Sequence, residues 1–282
     1  MGIHSVEEQS EVYMPELNAW VTASDAKEMI ELLTNSEKRP LLSIGIPTYN
    51  CADNLDYCLQ TILSQIGDSS LVEVVVSDNA STDDTASVVK RYMNQYSNVR
   101  YFRNKLRLSV DHNILQIAKH ARGVFIKLHG DDDFVVEGSM MPLLNILSEH
   151  LDSGVVHISL FHNDGKVFED KSTAAYLDHV GHEAAFITTT IVRREDWEVV
   201  ADKDRFCDSL LNHVYLQFAI LSSVNPKFTI MNYSSMFTYA GKTLEAYKLA
   251  GDFAGNYLKV LNHFIDNGLT ADDIERNKRS NP

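Results

Sequence analysis

Between residues 41 and 128 the chain moves repeatedly between two hydrophobic rhythms. LLSIGI (41–46), VEVVVS (72–77), VRYF (99–102) and GVFIKL (123–128) are short apolar runs of strand length. The stretches 54–66, 84–96 and 110–121 instead return an apolar side chain every third or fourth residue. Leu55, Cys58, Leu59, Ile62, Leu63 and Ile66 do so in the first, which gives a helix one buried face. Such runs separated by amphipathic helices predict a parallel sheet, because each crossover helix carries the chain back over a sheet face. Asp53 is placed to cap the first helix, and Ser81 followed by Asp84 resembles a capping box for the second.

Past residue 135 the alternation decays. The pattern gives a helix over 136–150, strands VVHISL (155–160) and AFITTTIV (185–192), a helix over 208–222, a short strand near 228–231 and helices from 244 to about 265. The apolar stripe from Leu244 to Leu261 is read as core-facing, with a homodimer face as its alternative. Ahead of the alternation, AWVTASDAKEMIELLTNSEKR has helical spacing before Pro40, so residues 1–39 read as a polar helical extension. The tail ADDIERNKRSNP reads as a polar end that frays, or as the cut end of a longer protein.

Composition narrows the class. A chain of 282 residues with 44% hydrophobic content can build a globular core. No run approaches the roughly 20 apolar residues of a membrane span. The start MGIHSVEEQSEVYMPEL lacks the charged and apolar sections of a signal peptide, so a cytoplasmic location is expected. Lys plus Arg is 25 against 39 for Asp plus Glu, a net charge of −14 that opposes attraction to nucleic acid. Cys51, Cys58 and Cys207 cannot all pair and lack zinc-type spacing, so they read as free thiols with no assigned chemistry. The histidines include no HExxH, so zinc is not expected.

Ligands of an open α/β sheet collect at the carboxyl ends of its strands, where strand order reverses. PTYN (47–50), DNASTDDT (78–85) and HGDDD (129–133) follow the first, second and fourth strands. Each alone is ordinary turn and cap chemistry; three on one sheet edge point to a site. Neither GxxxxGK[ST] nor a GxGxxG after a strand is present, so the familiar phosphate cradles are excluded. Asp131, Asp132 and Asp133 repel one another, and a divalent cation shared with a diphosphate relieves that repulsion.

SIGIPTYNCADNLDYCLQTILSQ, VEVVVSDNASTDDTASVV and YFRNKLRLSVDHNILQIAKHARGVFIKLHGDDDF together resemble the nucleotide-sugar half of the family 2 glycosyltransferases, which have the GT-A fold. The resemblance covers about residues 41–135 and is loose beyond them. It implies a Rossmann-like, mostly parallel α/β sheet flanked by helices, divided as an extension (1–39), a nucleotide-sugar half (40–135), an acceptor half (136–240) and a C-terminal helical segment (241–282). It implies that Pro47, Thr48 and Tyr49 pack on base and ribose, that Asp78 and Asn79 read the base, and that Asn104, Arg107 and Asn113 line the nucleotide. The aspartates match the family's DXD-type motif: Asp131 faces the ribose, and Asp132 with Asp133 holds Mn²⁺ or Mg²⁺. His129 and Gly130 replace the commoner acidic or small residues there.

Inverting members use a base to deprotonate the acceptor hydroxyl. The literal Glu195-Asp196 pair lies upstream of the expected position, which falls on or beside His213, with Asp208 the other candidate. The unperturbed histidine pKa of about 6.5 suits the task, while a hydrogen-bonded helix histidine is the plain alternative. The resemblance thus implies an inverting transferase that moves a sugar from a nucleoside-diphosphate donor, UDP-linked by first expectation, to a glycan or lipid-linked saccharide acceptor in bacterial surface polysaccharide synthesis. Peripheral association with the inner face of the plasma membrane is compatible with that role. A nucleotidyltransferase of the same fold would want a basic glycine-rich loop, which PTYN followed by CADN does not supply. The alternative from another class is a non-catalytic nucleotide-sugar-binding scaffold that has lost the base.

Overall fold

The computed structural model describes residues 11–14, 19–22, 39–239 and 246–280. One eight-stranded sheet organises them, in the order β5-β4-β3-β6-β10-β8-β11-β9. Its parallel part comprises β3 (Leu42–Thr48), β4 (Val72–Asp78), β5 (Val99–Arg103) and β6 (Phe125–Leu128). The crossovers are α1 (Ala52–Ile66), α2 (Thr85–Met93) and α3 (Val110–His120). From β3 the chain steps outward to β4 and β5, then returns to place β6 on the other side of β3. That reversal opens a crevice at the carboxyl ends of β3 and β6.

The two faces of the sheet feed separate cores. Ile44, Ile46, Val74, Val76 and Phe125 pack with Leu55, Leu59 and Leu63 of α1. On the opposite face Ile126 and Leu128 pack with Ile114 and Ile117 of α3. Gly45 is what lets α3 approach, because a Cβ there would lie 2.2 Å from Ile117 Cγ2. Alternating burial on both faces explains the near-continuous apolar runs read from these strands.

The sheet continues into the second half of the chain. β10 (Thr190–Arg193) runs antiparallel to both β6 and β8 (Val155–Ile158), while β11 (Phe228–Met231) is parallel to β8 and β9 (Val167–Asp170) closes the edge. Helix α4 (Met140–Glu149) covers one face. Helices α5 (Thr173–Val180), α6 (Arg194–Val199), α7 (Asn212–Ser223) and α8 (Ala246–Asn262) supply the other core, where Tyr257, Val260 and Leu261 of α8 are buried. β7 (Asp133–Val135) pairs with β12 (Phe237–Tyr239) outside the main sheet.

Several expectations are corrected. The N-terminal extension was read as helical, but its described residues form two short antiparallel strands, β1 (Glu11–Met14) and β2 (Ala19–Thr22), and the rest of the helical stretch up to residue 38 lies outside the described residues. The described part of the tail is helical: α9 (Ala271–Ser280) buries Ile274, and Asp273 Oδ2 accepts from Thr270 N at 2.7 Å while Thr270 Oγ1 accepts from Asp273 N at 3.2 Å. This reciprocal cap holds its first turn. The strand expected over 185–192 is confined to β10, behind two 3₁₀ turns at Gly181–Ala185 and Ile187–Thr189. Asp53 does not cap α1; Cys51 holds the cap position without a side-chain bond, and Asp53 sits within the first turn. Ser81 does not cap α2 either, since Asp83 Oδ1 accepts from Thr85 N at 3.1 Å and Ser81 Oγ accepts from Asn50 N at 3.0 Å.

Candidate active site

The aspartate loop runs from the end of β6 into β7, and its carboxylates take different surroundings. Asp131 Oδ2 accepts from Thr48 Oγ1, the last residue of β3, at 2.6 Å. Asp133 Oδ2 accepts from Thr188 Oγ1, which also takes the Gly130 N–H at 2.9 Å. Asp132 between them is exposed. Gly130 is required by closeness, because a Cβ there would lie 2.6 Å from Asp133 Oδ2. Burial pushes the Asp131 carboxyl up to about 6, against the Thr48 bond and with help from the Asp132 charge. Burial and then Asp132 also raise Asp133, while Thr188 and the buried Lys127 oppose the shift. Cys51, given no chemistry from sequence, sits close enough to Asp131 that burial, followed by that carboxylate's charge, lifts its thiol to about 11.

This donor set fits a hard divalent cation. Carboxylate oxygens are the ligands Mg²⁺ and Mn²⁺ prefer, and Asp131 and Asp133, whose carboxyls are raised chiefly by burial and further by the Asp132 charge, would be relieved by a cation. Among the described residues no three His, Cys, Asp or Glu side chains gather into an all-protein cage. One or two carboxylates completed by phosphate oxygens and water is the usual way Mg²⁺ is held beside nucleotides.

The crevice wall is built from side chains turned inward. Asp78 is fully buried: Oδ1 accepts from Ser81 N at 2.8 Å, Oδ2 accepts from Tyr101 Oη at 2.5 Å, and Oδ2 forms an ion pair with Arg103 Nε at 3.3 Å. Asn79 N donates to Thr48 O at 2.9 Å, joining the ends of β3 and β4. The Asn79 side chain exchanges bonds with the Leu108 backbone at 2.8 and 2.9 Å, and Asn104 Nδ2 bridges Asn79 Oδ1 at 3.2 Å and Asn113 Oδ1 at 2.8 Å. Asn113 in turn pairs with Ser77 through both its amide atoms. Pro47 is half-buried in β3. The expected nucleotide residues are therefore brought together, but Asp78, Asn79 and Asn113 are spent on the wall. Tyr49, at 36% exposure, faces out, with the Arg107 guanidinium 4.1 Å from its ring centre. That spacing suits a cation–π contact.

The two catalytic candidates lie apart from this network. Asp208 is exposed and has φ 82°, in a loop pinned from α3: the buried Asp111 accepts from Leu210 N at 2.8 Å and from Asn212 N at 3.2 Å. His213, in the first turn of α7, is 4% exposed. Its Nε2–H donates to Ala185 O at 3.0 Å, its buried Nδ1 has no partner, and burial lowers its pKa to about 4. The unperturbed value expected from sequence is thus corrected downward. Glu195 and Asp196 are tied elsewhere, to Arg39 and Arg193 and to Asn225 respectively.

The family described as "Glycosyl transferase family 2" matches residues 43–207, more than half of the chain. The chain belongs to that family. This family 2 glycosyltransferase is 24% identical over 260 residues to abequosyltransferase RfbV of Salmonella typhimurium, covering 82% of this chain and 77% of the relative. Its fold is similar to that of S. aureus TarS 1-349 solved in complex with UDP-GlcNAc, at TM-score 0.60 and 17% identity over 81% of this chain and 67% of that one. It is also similar to mannosyltransferase PcManGT from Pyrobaculum calidifontis in complex with GDP-Man and Mn²⁺, at TM-score 0.54 and 17% identity over 89% and 73% of the two chains. The expected GT-A fold is therefore what this family 2 chain adopts.

Sequence reading missed two residues that the structure brings to the aspartate loop, Thr188 and Lys127. Their signals were present: Lys127 interrupts the apolar run FIKL, and Thr188 opens a run of three threonines within a stretch read as strand. Neither pattern says that the two meet, because Lys127 and Thr188 are brought together across 61 positions of the chain.

Proposed function

We propose that this glycosyltransferase performs metal-dependent, inverting transfer of a sugar from a nucleoside diphosphate, with UDP as first candidate, to a hydroxyl of a glycan or lipid-linked saccharide. The observation that carries the reading is the exposed Asp132 between two half-buried, pKa-raised carboxylates at the strand-order reversal. The ligands named for TarS and PcManGT, UDP-GlcNAc in one and GDP-Man with Mn²⁺ in the other, support a nucleotide-sugar donor and a divalent ion here. That RfbV is an abequosyltransferase supports sugar transfer here, for which the resemblance read from the sequence suggests bacterial surface polysaccharide synthesis. No helix among the described residues is long and apolar enough to cross a membrane, and cytoplasmic work at the inner membrane face accords with a lipid-linked acceptor.

Asp132 and Asp133 would hold Mn²⁺ or Mg²⁺, with Asp131 turned to the ribose. When bound, such an ion neutralises charge developing on the leaving diphosphate. Tyr49, braced by Arg107, offers a flat face to the base, while the wall of Asp78, Asn79, Asn104 and Asn113 holds the ends of β3 and β4 in place. In the transfer the acceptor oxygen bonds to the anomeric carbon as the bond to the diphosphate oxygen breaks, and the hydroxyl proton goes to His213 Nδ1. Its tautomer suits that role: Nε2 keeps its proton on Ala185 O, so Nδ1 carries the free lone pair. Asp208 is the competing base.

Thermal unfolding with UDP- and GDP-sugars, each with Mn²⁺ and with chelator, tests the reading. Ligand at a hundredfold excess over Kd stabilises by about 2.7 kcal/mol, enough to see as a shift in melting temperature. A shift that needs both sugar nucleotide and metal is expected; a shift indifferent to chelator contradicts it. Binding without transfer to any acceptor would favour the scaffold reading.

A further inference from the structure

The turn Ile187–Thr189 belongs to the second half of the chain, yet its middle residue closes the aspartate loop of the first. Through Thr188 Oγ1 a single hydroxyl spans that loop, donating to Asp133 and accepting from Gly130 N. The turn is itself held from below. Lys127 on β6, 1% exposed, donates to Thr188 O at 2.7 Å and Leu128 O at 3.1 Å, and its Nζ lies 3.1 Å from His129 Nδ1. With Nδ1 accepting, His129 carries its proton on Nε2, 3.2 Å from Asp133 O. The ammonium's three donors thus meet three acceptors, and the chain of contacts returns to Asp133.

An apolar side chain would fill the place of Lys127 without the penalty of burying an ammonium. A lysine there needs a role that packing does not provide. The same segment also reaches toward the acceptor side: Ala184 O accepts from Gln217 Nε2 and Ala185 O from His213 Nε2, both at 3.0 Å.

We infer that Thr188, anchored by Lys127, is a positioning residue that orients the Asp133 carboxylate toward the divalent ion. The inference rests on the metal reading above. One oxygen of Asp133 is held by Thr188, which directs the other to the ion, as partners behind metal ligands generally do.

Titrating Mn²⁺ into chelator-treated protein by calorimetry, alone and with UDP or GDP, tests this on the parent, Asp132→Ala, Thr188→Val, Thr188→Ser and Lys127→Met. Thr188→Val keeps the shape and removes the hydroxyl; it should weaken apparent Mn²⁺ affinity by about 10- to 100-fold, the usual effect of losing an outer partner of a metal ligand. Thr188→Ser should restore it, and Lys127→Met should weaken it in the same direction. Melting temperatures in chelator separate this from unfolding, and Thr188→Ala serves if the valine variant does not fold. Parent-like Mn²⁺ affinity in Thr188→Val, with Asp132→Ala impaired, overturns the inference and leaves the metal reading standing. A parent with no Mn²⁺-dependent binding alone or with either nucleotide overturns both.

Discussion

The two halves of the sheet build their polar sites in opposite ways. Around β3, β4 and β6, chemistry sits on turns next to the strands that carry it, and partners join neighbouring strand ends, as Thr48 joins Asp131 and Asn79 N joins Thr48 O. Around β8, β10 and α7, polar side chains are buried among distant segments: His213 against Ala185, Gln217 against Ala184 and Thr190, and Glu183 against His157 and the Leu160 N–H. A strand-end motif announces itself in sequence because topology alone places it. A site assembled from loops depends on contacts that no local pattern encodes.

The sharpest way to break this comparison is through the proposed base. His213→Ala should leave donor affinity nearly unchanged and lower transfer by about a hundredfold to ten-thousandfold, whereas Asp208→Ala should do far less. Rate measurements on both variants across pH add a second check. Buried neutral with a pKa near 4, His213 contributes stability that is present above its unfolded value of about 6.5 and lost as pH falls toward 4, so the acid limb should lie below 6.5. A parent-like rate for His213→Ala removes it from the mechanism.

Packing around β3 and α3 offers the next test. Gly45→Ala drives a methyl to 2.2 Å from Ile117 Cγ2, and overpacking of this kind costs about 1–3 kcal/mol. Urea unfolding should show that loss, and an unchanged midpoint would mean α3 can move away from β3 freely.

Asp111→Ala probes the seam between the halves. It leaves the Leu210 and Asn212 N–H groups without their acceptor, at about 1–3 kcal/mol for unsatisfied buried donors. Acceptor kinetics should suffer more than donor binding, because the loop released is 208–212. Equal losses in both would place the loop in the nucleotide site as well.

A smaller effect concerns pH and metal. Asp131, raised to about 6, contributes stability that is fully present below its unfolded value of about 3.9 and is lost as pH rises through 6. A divalent ion offsets that loss, so Mn²⁺ should raise the melting temperature more near pH 7 than near pH 5. A pH-independent increment would show that the loop carries no such charge strain.

The same contrast explains what was legible. β3, β4 and β6 and the crossover helices are legible because double-sided burial forces apolar runs and amphipathic spacing, while the edge strand β5 is only partly buried and is marked by the short run VRYF. The short β9 is exposed at all four positions, and its VFED does not alternate apolar with polar residues; α6 spans six residues, too few for a periodic stripe. Strand propensity in AFITTTIV concealed the 3₁₀ turns that bring Thr188 to Asp133. Asp78 stands out in the sequence at a strand end, but its hydrogen bonds to Tyr101 and Ser81 and its ion pair with Arg103, which no local pattern encodes, make it a brace of the wall. At the C-terminus the polarity of ADDIERNKRS suggested fraying, while Ile274 and the Thr270–Asp273 cap were enough to dock α9.

The central claim is that the aspartate loop binds a nucleoside diphosphate through a divalent ion, and Asp132 is where it is most exposed to test. Calorimetry of UDP and GDP binding to the parent and to Asp132→Ala, each with Mn²⁺ and with chelator, measures it directly. Asp132 is solvent-facing, so its removal should leave the fold intact and relieve repulsion on Asp131 and Asp133. The account predicts metal-dependent binding by the parent and none by Asp132→Ala. Equal affinity in the two proteins, with or without chelator, would contradict it.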